Sequence, residues 1–418
     1  MKPVLEKKTQ AAPAEVPEPA VDVLTAIKRV KKRKSPMPRI SWHLVHWPNT
    51  LFLMGTLLVT LIGVPIYLWN YGLNAFQVTL FLVFFMSTGI SITLGYHRLF
   101  SHLSFKATWP VRLLTLLFGA AAFENSALCW AADHRRHHKF VDHEEDPYDI
   151  SKGFFHAHMG WILFRLQEDS PLDFVRDLEE QPLVSWQNRH YRTIAIMMGL
   201  VLPTVIGWCW GGWSAALGGF LMAGVARVVA VHHMTFLINS LCHTLGNRPY
   251  STRCTARDSS LMAFFTFGEG YHNFHHEFQH DYRNGVKFWH FDPTKWCIWL
   301  LHQLGLVAQL RRVPAEKIMM AEVAEQQRQL TAILDARPVP LAENIHRLLR
   351  TAQEQLHQAS LNWERRKEAY AQAAERKVEA SRQRIAELRR EFREAAKNLR
   401  AAVRQWRETQ QLVQAALA

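Results

Sequence analysis

Two long stretches of the 418-residue sequence contain no Asp, Glu, Lys or Arg, namely residues 40–97 and residues 193–226. A soluble domain rarely runs so far without charge, because its helices need a polar face toward water. A transmembrane helix needs about 20 apolar residues to cross a hydrocarbon core of about 30 Å. Each uncharged stretch is therefore long enough for two spans, and the second stretch continues past Arg227 toward Leu241.

We predict an all-α integral membrane protein with four transmembrane helices, arranged as two hairpins beneath a histidine-rich cytosolic cap. The first hairpin turns at residues 70–74 and the second at Gly211-Gly212. Both chain termini then lie on the same side of the membrane. The predicted membrane domain covers residues 41–310, and its predicted spans are residues 50–70, 75–97, 193–212 and 215–241.

The distribution of Lys and Arg predicts which side of the membrane faces the cytosol. Residues 28–34 carry six basic side chains just before the first span, whereas both hairpin tips are uncharged. Because cytoplasmic segments are enriched in Lys and Arg, we expect the termini, residues 97–192 and residues 242–418 in the cytosol. A bacterial inner membrane is favoured over the endoplasmic reticulum. The net charge of +13 fits attraction to anionic lipid, and not to nucleic acid, since no nucleic-acid motif accompanies it.

Targeting signals and redox motifs are also missing. Lys7, Glu15 and Glu18 interrupt the apolar core that a signal peptide would need, and we expect residues 1–40 to form a disordered basic tail. None of the five cysteines has C-x-x-C spacing, which disfavours a disulfide framework or a zinc finger. The cysteines therefore indicate core thiols in a reducing compartment.

Residues 341–418 contain no Gly and no Pro, and they are rich in the strong helix formers Ala, Glu, Arg and Gln. Apolar residues recur every seven positions at Ile385, Phe392, Leu399 and Trp406, which is the spacing of a coiled-coil seam. We predict a long helical or coiled-coil extension over residues 341–418, after a linker at residues 311–340. A helical hairpin, a self-association helix and a loosely packed solvated helix all stay open for the extension.

Eight of the 22 histidines lie in three short clusters. HRLFSH supplies His97 and His102, and two HxxHH trios follow at residues 134–138 and 272–276. On a helix, positions i, i+3 and i+4 share one face, so we expect each trio to direct its three imidazoles toward one point. His97 and His102 lie about 140° apart on a straight α-helix, and they can converge only where one of them lies at a helix end.

Histidines at this density indicate metal binding, whereas a lone histidine is usually only a satisfied polar group. Clustered protonated imidazoles would repel one another, but a neutral imidazole is a good ligand for iron, copper and zinc. Eight histidines exceed the capacity of one ion, so two ions are implied. The absence of cysteine from the clusters disfavours a structural zinc site. Two redox-active ions at a membrane face predict oxygen chemistry on a lipid-like substrate, and iron and copper both stay open.

The three boxes HRLFSH, DHRRHHKF and EGYHNFHHEF resemble those of the membrane fatty acyl desaturases, most closely the Δ9 acyl-CoA (stearoyl-CoA type) group. The segments NSLCHTLGNRPY, residues 239–250, and GFFHAHMGW, residues 153–161, support this resemblance, which covers about residues 40–310. It implies a four-helix membrane protein whose cytosolic cap holds a diiron centre. It also implies an O2-dependent enzyme that removes hydrogen from two adjacent methylenes of a saturated acyl chain and leaves a cis double bond.

The resemblance further implies a ligand set for two iron ions. A ninth histidine, His243, enters only through the match of NSLCHTLG, since its spacing alone makes it a lone histidine. Asn239, four residues earlier, matches a position that holds a metal-bound water. Glu269 and Glu277 are expected to lie outside the direct ligands. The implied ligands are His97, His102, His134, His137, His138, His243, His272, His275 and His276, with Asn239 acting through water.

Six further positions match substrate-binding positions of the resembled family. Four match contacts with the acyl carrier, and two match the lining of the acyl tunnel. Each of them could equally be a packing or surface residue, since pocket linings mix both kinds. The carrier positions are Asn49, Asn125, Asp133 and Arg165, and the tunnel positions are Trp130 and Thr235.

Three departures from the family pattern affect the substrate. Ala132 and Leu166 stand where the family has an Arg and a Lys, and the loss of two cations weakens a phosphate clamp. The acyl chain is therefore carried either on CoA or on a membrane phospholipid. Glu124 replaces a tunnel Gln, which leaves the position of the double bond less tightly specified.

The sequence contains no cytochrome b5-like haem motif and no ferredoxin-like cysteine cluster. A separate electron donor of the cytochrome b5, ferredoxin or rubredoxin type, with its reductase, is therefore expected, and the basic cytosolic face would steer an acidic donor.

Three other functions compete. A membrane alkane or aromatic hydroxylase uses similar boxes but leaves a hydroxylated product. A metal transporter would place its histidines within the spans, and an assembly module would act through the C-terminal helix.

Overall fold

The computed structural model describes residues 41–336, 343–375 and 382–417. The tail predicted at residues 1–40 lies outside them. The first hairpin consists of α1 (Trp47–Tyr71) and α2 (Ala75–Ser101). Gly72, with φ of 70°, ends α1, and Asn74 and Gln77 form a reciprocal capping box that begins α2. At a rise of 1.5 Å per residue, the 25 residues of α1 span about 37 Å, enough to cross a bilayer.

Two helices of the cap follow the first hairpin. They are α3 (Trp109–Ala120) and α4 (Ala127–Phe140). Ser126 begins α4, because its hydroxyl accepts a hydrogen bond from the backbone N–H of Cys129 at 3.2 Å. Short helical turns then lead to the next span, at Ile150–Lys152, His156–Gly160, Trp161–Leu163, Leu172–Val175 and Arg176–Glu179.

The second hairpin is one helical stretch, α5 (Pro182–His243), which folds back on itself. Gly211 and Gly212 have non-helical backbone angles, and φ is 65° at Gly212. The two arms then approach so closely that a Cβ atom on Gly207 would collide with the Ala215 carbonyl. Glycine is therefore required at the turn and at the crossing. Three described helices are long and apolar enough to span a membrane, and this fold gives the third two membrane-crossing arms, as the sequence predicts.

The remaining cap elements are α6 (Ser260–Phe265), α7 (His272–Glu277) and α8 (Pro293–Gln303). A two-stranded antiparallel ladder of β1 (Lys106–Ala107) and β2 (Val307–Ala308) closes the cap beside the end of α2. The main core lies between α2, α3, α4 and α8, and its largest buried members include Tyr96, Phe100, Leu128 and Ile298. This core fixes α2 and α4, which carry four of the clustered histidines, and His102 directly follows α2.

The segment predicted as a linker is instead largely helical, which corrects that prediction. Helix α9 (Ala315–Ala336) covers most of residues 311–340. Ile318 packs on the cap against Tyr250 and Phe274, because the amphipathic sequence of α9 has an apolar face to bury. The same helix also contributes Val323 and Leu330 to a second, C-terminal core.

The C-terminal extension forms a helical hairpin of α10 (Glu343–Glu375) and α11 (Arg382–Leu417). Only six residues separate two long helices that pack together, so they run antiparallel. The predicted seam lies in their shared core, where Leu399 and Trp406 are fully buried and Phe392 packs against them. Of the alternatives left open by the sequence, the described residues therefore show the hairpin. Ion pairs of Arg400 with Glu316 and of Arg407 with Glu322 hold α9 alongside α11.

Candidate metal centre and substrate cavity

The structure gathers the nine predicted histidines into two compact groups. Within each group, one nitrogen from every ring lies within 4.8 Å of the others. No other cluster of three or more His, Cys, Asp or Glu side chains with this geometry occurs in the described parts of the chain. The first group is His97, His102, His134, His138 and His275, and the second group is His137, His243, His272 and His276.

His97 and His102 converge because the end of α2 is not an ordinary α-helix. Residues Ser91–Ser101 form a π-helix, in which hydrogen bonds join residues five apart. The backbone N–H of His102 donates to the carbonyl of His97 at 3.1 Å, so the two residues lie one above the other. His102 also caps the helix, as expected from the sequence. The π-helix closes the separation of about 140° that a straight α-helix would impose.

The two HxxHH trios do not each point to a single place, so that expectation is wrong. On α4, His134 and His138 belong to the first group, whereas His137 belongs to the second. On α7 the division is reversed, because His275 joins the first group and His272 joins the second. Residues at i and i+4 stay together, while the residue between them faces the neighbouring group. Each trio therefore contributes to both groups.

Ring nitrogens face one another inside both groups. In the first group, Nε2 of His275 lies 3.0 Å from Nε2 of both His97 and His138. In the second group, Nε2 of His272 lies 3.1 Å from Nε2 of both His243 and His276. Burial lowers the pKa of these rings well below its ordinary value, and neighbouring imidazoles lower it further. This holds for His102, His134, His138, His272, His275 and His276.

Several outward-facing nitrogens are held by acceptors. Nδ1 of His97 lies 2.8 Å from Glu269, and Nδ1 of His137 lies 2.8 Å from Asp146. Nδ1 of His243 lies 2.8 Å from the hydroxyl of Thr255. A neutral ring that donates from Nδ1 keeps its lone pair on Nε2, and those lone pairs point into the groups. Buried lone pairs that converge without donors fit a bound cation, and this donor set suits iron, copper or zinc.

The carboxylate behind His97 is itself fixed by a buried arginine. The guanidinium of Arg98 donates to Glu269 Oε1 at 2.8 Å and forms two further bonds to Asp292, at 3.0 and 3.2 Å. Asn284 donates to the other Glu269 oxygen at 2.5 Å. Burial would raise the pKa of Glu269, but Arg98 and His97 outweigh that effect and hold it below its usual range. Glu269 thus lies outside both histidine groups and orients His97.

A cavity of about 670 Å³ runs into the protein and reaches both histidine groups. Its inner wall includes His97 and His134 from the first group and His137 and His272 from the second. Apolar side chains such as Phe52, Leu53 and Phe236 also line the interior. All six predicted substrate positions line the cavity, and so does the predicted water-holding residue; they are Asn49, Asn125, Trp130, Asp133, Arg165, Thr235 and Asn239.

The predicted tunnel residues surround Glu124. Trp130 stacks on the ring of His134, with centroids 4.8 Å apart, and donates from Nε1 to Glu124 at 3.3 Å. The hydroxyl of Thr235 donates to the other Glu124 oxygen at 2.8 Å. Burial raises the pKa of Glu124 to about 8, although both hydrogen bonds oppose the rise. The carboxyl is therefore protonated and uncharged at neutral pH.

The predicted carrier positions lie toward the outer part of the cavity. Asn125 and Arg165 are exposed, whereas Asp133 is partly buried and Asn49 lies in the first turn of α1. Burial raises the pKa of Asp133 to about 6. The cavity thus has charged and polar side chains at its exposed end, and apolar side chains and imidazoles inside. This gradient matches a ligand with a polar head and a long apolar chain.

Sequence reasoning missed the groups that position the histidines. Arg98 and Asp292 lie far apart in the chain, and Asp146 lies in a loop after α4, so no local spacing connects them with the boxes. One signal was available for Arg98, because it is the first charge after 58 uncharged residues and stands inside HRLFSH. A charge at the end of a buried helix requires a buried partner.

Comparison with known proteins agrees with this architecture. The family model described as fatty acid desaturase matches residues 77–300, the stretch that carries both histidine groups. The chain belongs to the fatty acid desaturase family. Among its relatives are Acyl-CoA desaturase 1 of Saccharomyces cerevisiae, 38% identical over 315 residues, and Stearoyl-CoA desaturase of Homo sapiens, 33% identical over 300 residues.

The extent of these matches differs between the relatives. The match to the Saccharomyces cerevisiae protein covers 72% of this chain and 60% of the relative. Probable acyl-CoA desaturase of Schizosaccharomyces pombe is 37% identical over 292 residues, covering 69% of this chain and 59% of the relative. The human match covers 69% of this chain and 80% of the relative. The chain therefore spans about three fifths of the length of the two yeast relatives.

Proposed function

We propose that this protein is an O2-dependent fatty acyl desaturase that inserts a cis double bond, at the Δ9 position, into a saturated acyl chain carried on CoA. One observation carries the proposal. A single cavity joins an exposed polar end, an apolar interior and members of both histidine groups. The relatives named acyl-CoA and stearoyl-CoA desaturases support the choice of substrate.

The two histidine groups would hold two iron ions. Five imidazoles would serve the first ion, and four imidazoles, with a water held by Asn239, would serve the second. A bound iron pair with O2 and two external electrons supplies the oxidising power that a methylene C–H bond requires, which no side-chain base can provide. Glu269, Asp146 and Thr255 hold the ligating rings in place through their outward nitrogens.

The chain's own residues bind and orient the acyl chain. The apolar interior binds methylenes and excludes water, while Trp130 forms a wall directly against His134. The pair formed by Thr235 and Glu124 fixes the indole nitrogen of Trp130 and thereby the shape of the cavity at this point. A chain held in one conformer beside the histidine groups presents a single carbon pair, which sets both position and cis geometry.

Other proposals concern the carrier, the partners and the location. The alternative substrate is a phospholipid-bound acyl chain, since Ala132 and Leu166 leave the phosphate clamp weak. The alternative reaction is hydroxylation of the acyl chain. A separate electron donor would dock on the cytosolic side of a bacterial inner membrane. Self-association through α11 stays a prediction, and because its seam packs inside the chain, a partner would have to bind an outer face of the hairpin.

Lipid analysis of cells that express the full chain tests the proposed function. We expect new cis-monounsaturated acyl chains, with the double bond at carbon 9, that appear first in the acyl-CoA pool and only later in phospholipids. First appearance in phospholipids would favour the phospholipid alternative, and hydroxylated chains would favour the hydroxylase. Unchanged lipids in cells that hold a metal-loaded protein and a matching donor system would contradict desaturation.

Replacing Glu124 with Gln should change the pH dependence of substrate binding. Above about pH 8 the native carboxyl loses its proton and places a charge in the apolar wall, so KM for the acyl substrate should rise as the pH passes from 7 to 9. Glu124→Gln should keep KM nearly constant over this range. Steady-state assays at several pH values measure the difference, and parallel profiles for the two proteins would contradict the assignment.

The same substitution should also change the pH dependence of stability. Folding raises the pKa of Glu124 from 4.5 to about 8, so between these values the folded state holds a proton that the unfolded chain has released. The free energy of unfolding should therefore fall as the pH rises through this window. Glu124→Gln should remove that part of the decline, which thermal unfolding at pH 5 and pH 8 would reveal.

A further inference from the structure

Arg227 is a fully buried arginine in the second arm of α5, and the metal centre does not use it. Counted from the turn at Gly212, it lies about 22 Å along the arm, which places it inside a bilayer core of about 30 Å. In the described parts of the chain, no carboxylate forms an ion pair with it. A charge at this depth is costly, and proteins usually keep one there for a function.

The guanidinium of Arg227 joins three segments of backbone. Nε donates to the carbonyl of Ala223, one turn earlier in the same arm, at 3.0 Å. The two terminal nitrogens donate to the carbonyl of Ala121 at 2.5 Å and to that of Gly199, in the first arm, at 2.8 Å. Arg227 therefore ties both arms of α5 to the backbone that directly follows α3.

This backbone forms a turn, residues 121–125, that α5 holds at a second point. Nε2 of His232 donates to the carbonyl of Ala122 at 2.7 Å. Further along the turn, Phe123 and Asn125 have φ of 60° and 79°, which residues other than glycine rarely adopt. Such a conformation persists only where the surrounding contacts hold it, and Arg227 and His232 supply two of those contacts.

The same turn is part of the cavity wall. Phe123, Glu124 and Asn125 all line the cavity. The ring of Phe123 lies against Phe52, with centroids 5.2 Å apart, and so close to Gly199 that a Cβ atom there would collide with it. Movement of the turn would therefore displace the surface that the acyl chain contacts.

The turn is also connected to the first histidine group. Glu124 accepts a hydrogen bond from Trp130, whose indole stacks on His134. The turn and the indole thus form one continuous wall that ends at an imidazole. A misplacement of about 1 Å between reacting groups can lower a rate about 100-fold, and neighbouring carbon pairs of an acyl chain differ in position by a similar distance.

We propose that Arg227 and His232 are positioning residues, which hold the turn 121–125 in register with the histidine groups and thereby restrict the reaction to one carbon pair. The inference rests on the proposed function, because it requires an acyl chain in the cavity. Arg227 does not line the cavity, so it acts through the turn. A guanidinium suits this role, because its planar fork donates in several fixed directions and keeps its charge.

The ratio of double-bond isomers in the product tests this role, since a purely structural role would lower the yield without changing the ratio. Arg227→Met loses all three bonds, and the ratio of misplaced to correctly placed double bonds should rise more than about 10-fold. His232→Phe loses one bond and should raise the ratio about 2- to 10-fold. Arg227→Lys keeps the charge without the planar fork, and its ratio should lie between those of Arg227→Met and the unchanged protein.

Thr204→Val is the matched control. The hydroxyl of Thr204, in the first arm of α5, donates to the carbonyl of Leu200 in its own helix at 2.7 Å, so the isomer ratio should stay unchanged. Thr204 does not line the cavity.

A photoreactive probe reports the register of the acyl chain without turnover. The probe is an octadecyl thioether of CoA with a diazirine at carbon 9, added to the metal-loaded full chain in lipid nanodiscs. Labelling should concentrate on residues beside His134, such as Trp130, in the unchanged protein. In Arg227→Met and His232→Phe it should spread to further residues of the cavity.

The two measurements separate the outcomes. If product forms but neither the isomer ratio nor the labelling changes in Arg227→Met and His232→Phe, only the positioning role fails. If Arg227→Met does not fold, the same result in His232→Phe overturns the role by itself. If the folded, metal-loaded protein yields no unsaturated product but labelling spreads in the variants, the proposed function fails and the positioning role stands.

Discussion

Replacing His275 with Ala is expected to abolish product formation. Nε2 of His275 lies 3.0 Å from the corresponding atoms of both His97 and His138, so the substitution opens the centre of the first histidine group. Loss of residues that only support metal ligands costs about 10- to 100-fold in affinity or activity, and loss of a ligand should exceed the upper end of that range. Metal content per chain and the yield of unsaturated lipid are the two measurements.

His158→Ala is the matched control for this substitution. His158 also belongs to a pair of imidazoles, with Nε2 3.1 Å from His233 and Nδ1 3.0 Å from the hydroxyl of Ser240. It lies in neither histidine group and does not line the cavity. We expect it to keep its metal and most of its activity. Full metal content and product yield in His275→Ala would contradict the metal-centre assignment.

Replacing Arg98 with Met should cause the largest loss of stability of any single substitution considered. The side chain of Arg98 is 1% exposed and neutralises two buried carboxylates, Glu269 and Asp292. Removing one member of a buried ion pair leaves uncompensated charge and typically costs about 3–5 kcal/mol. The effect also reaches the first histidine group, because Glu269 holds His97. The thermal unfolding temperature and the metal content of the purified protein should therefore both decrease.

Two further variants distinguish this charge effect from a general loss of an arginine. Arg176 forms an exposed pair with Asp173 on the cap surface, and water screens such pairs strongly, so Arg176→Ala should unfold like the unchanged protein. Arg98→Lys keeps the charge but lacks the planar fork that reaches both carboxylates, and it should recover only part of the stability. Equal unfolding temperatures for Arg98→Met and Arg176→Ala would show that the buried network contributes nothing.

The sequence predicted the membrane architecture well because hydrophobicity is a local signal. Uncharged stretches gave both hairpins, and Gly211-Gly212 marked the second turn, which the structure confirms. The ends of the spans were less predictable. Helix α5 begins at Pro182, eleven residues before the predicted span, because the cap packs around helices that extend beyond the membrane. Hydropathy does not predict where a helix ends when the helix continues from the membrane into the packed cap.

The metal centre was predictable as a set of residues but not as a geometry. Spacing put three imidazoles on one face of each trio helix, yet packing against a second group divides them. The convergence of His97 and His102 depends on a π-helix, which no residue pattern specifies. His243 lies 29 residues from its partner His272, so only a family resemblance could suggest it. Long-range packing determines each of these features.

Long-range packing also explains why the sequence did not predict the helix before the C-terminal extension. Residues 311–340 were predicted as a linker before the extension, but α9 packs on two sides and is therefore part of the fold. Its apolar residues are shared between two separate cores, Ile318 in one and Val323 and Leu330 in the other. A helix shared between two cores is difficult to recognise from one sequence, because the two surfaces that it packs against lie elsewhere in the chain.

Because α9 belongs to both cores, a single helix connects the C-terminal hairpin to the part of the cap that carries the histidine groups. Ile318 of α9 packs in the same apolar cluster as Phe274, the residue directly before His275. Val323, five positions further along, is buried in the hairpin core. About one and a half helical turns of α9 therefore separate the hairpin core from the cluster beside the helix that bears the imidazoles.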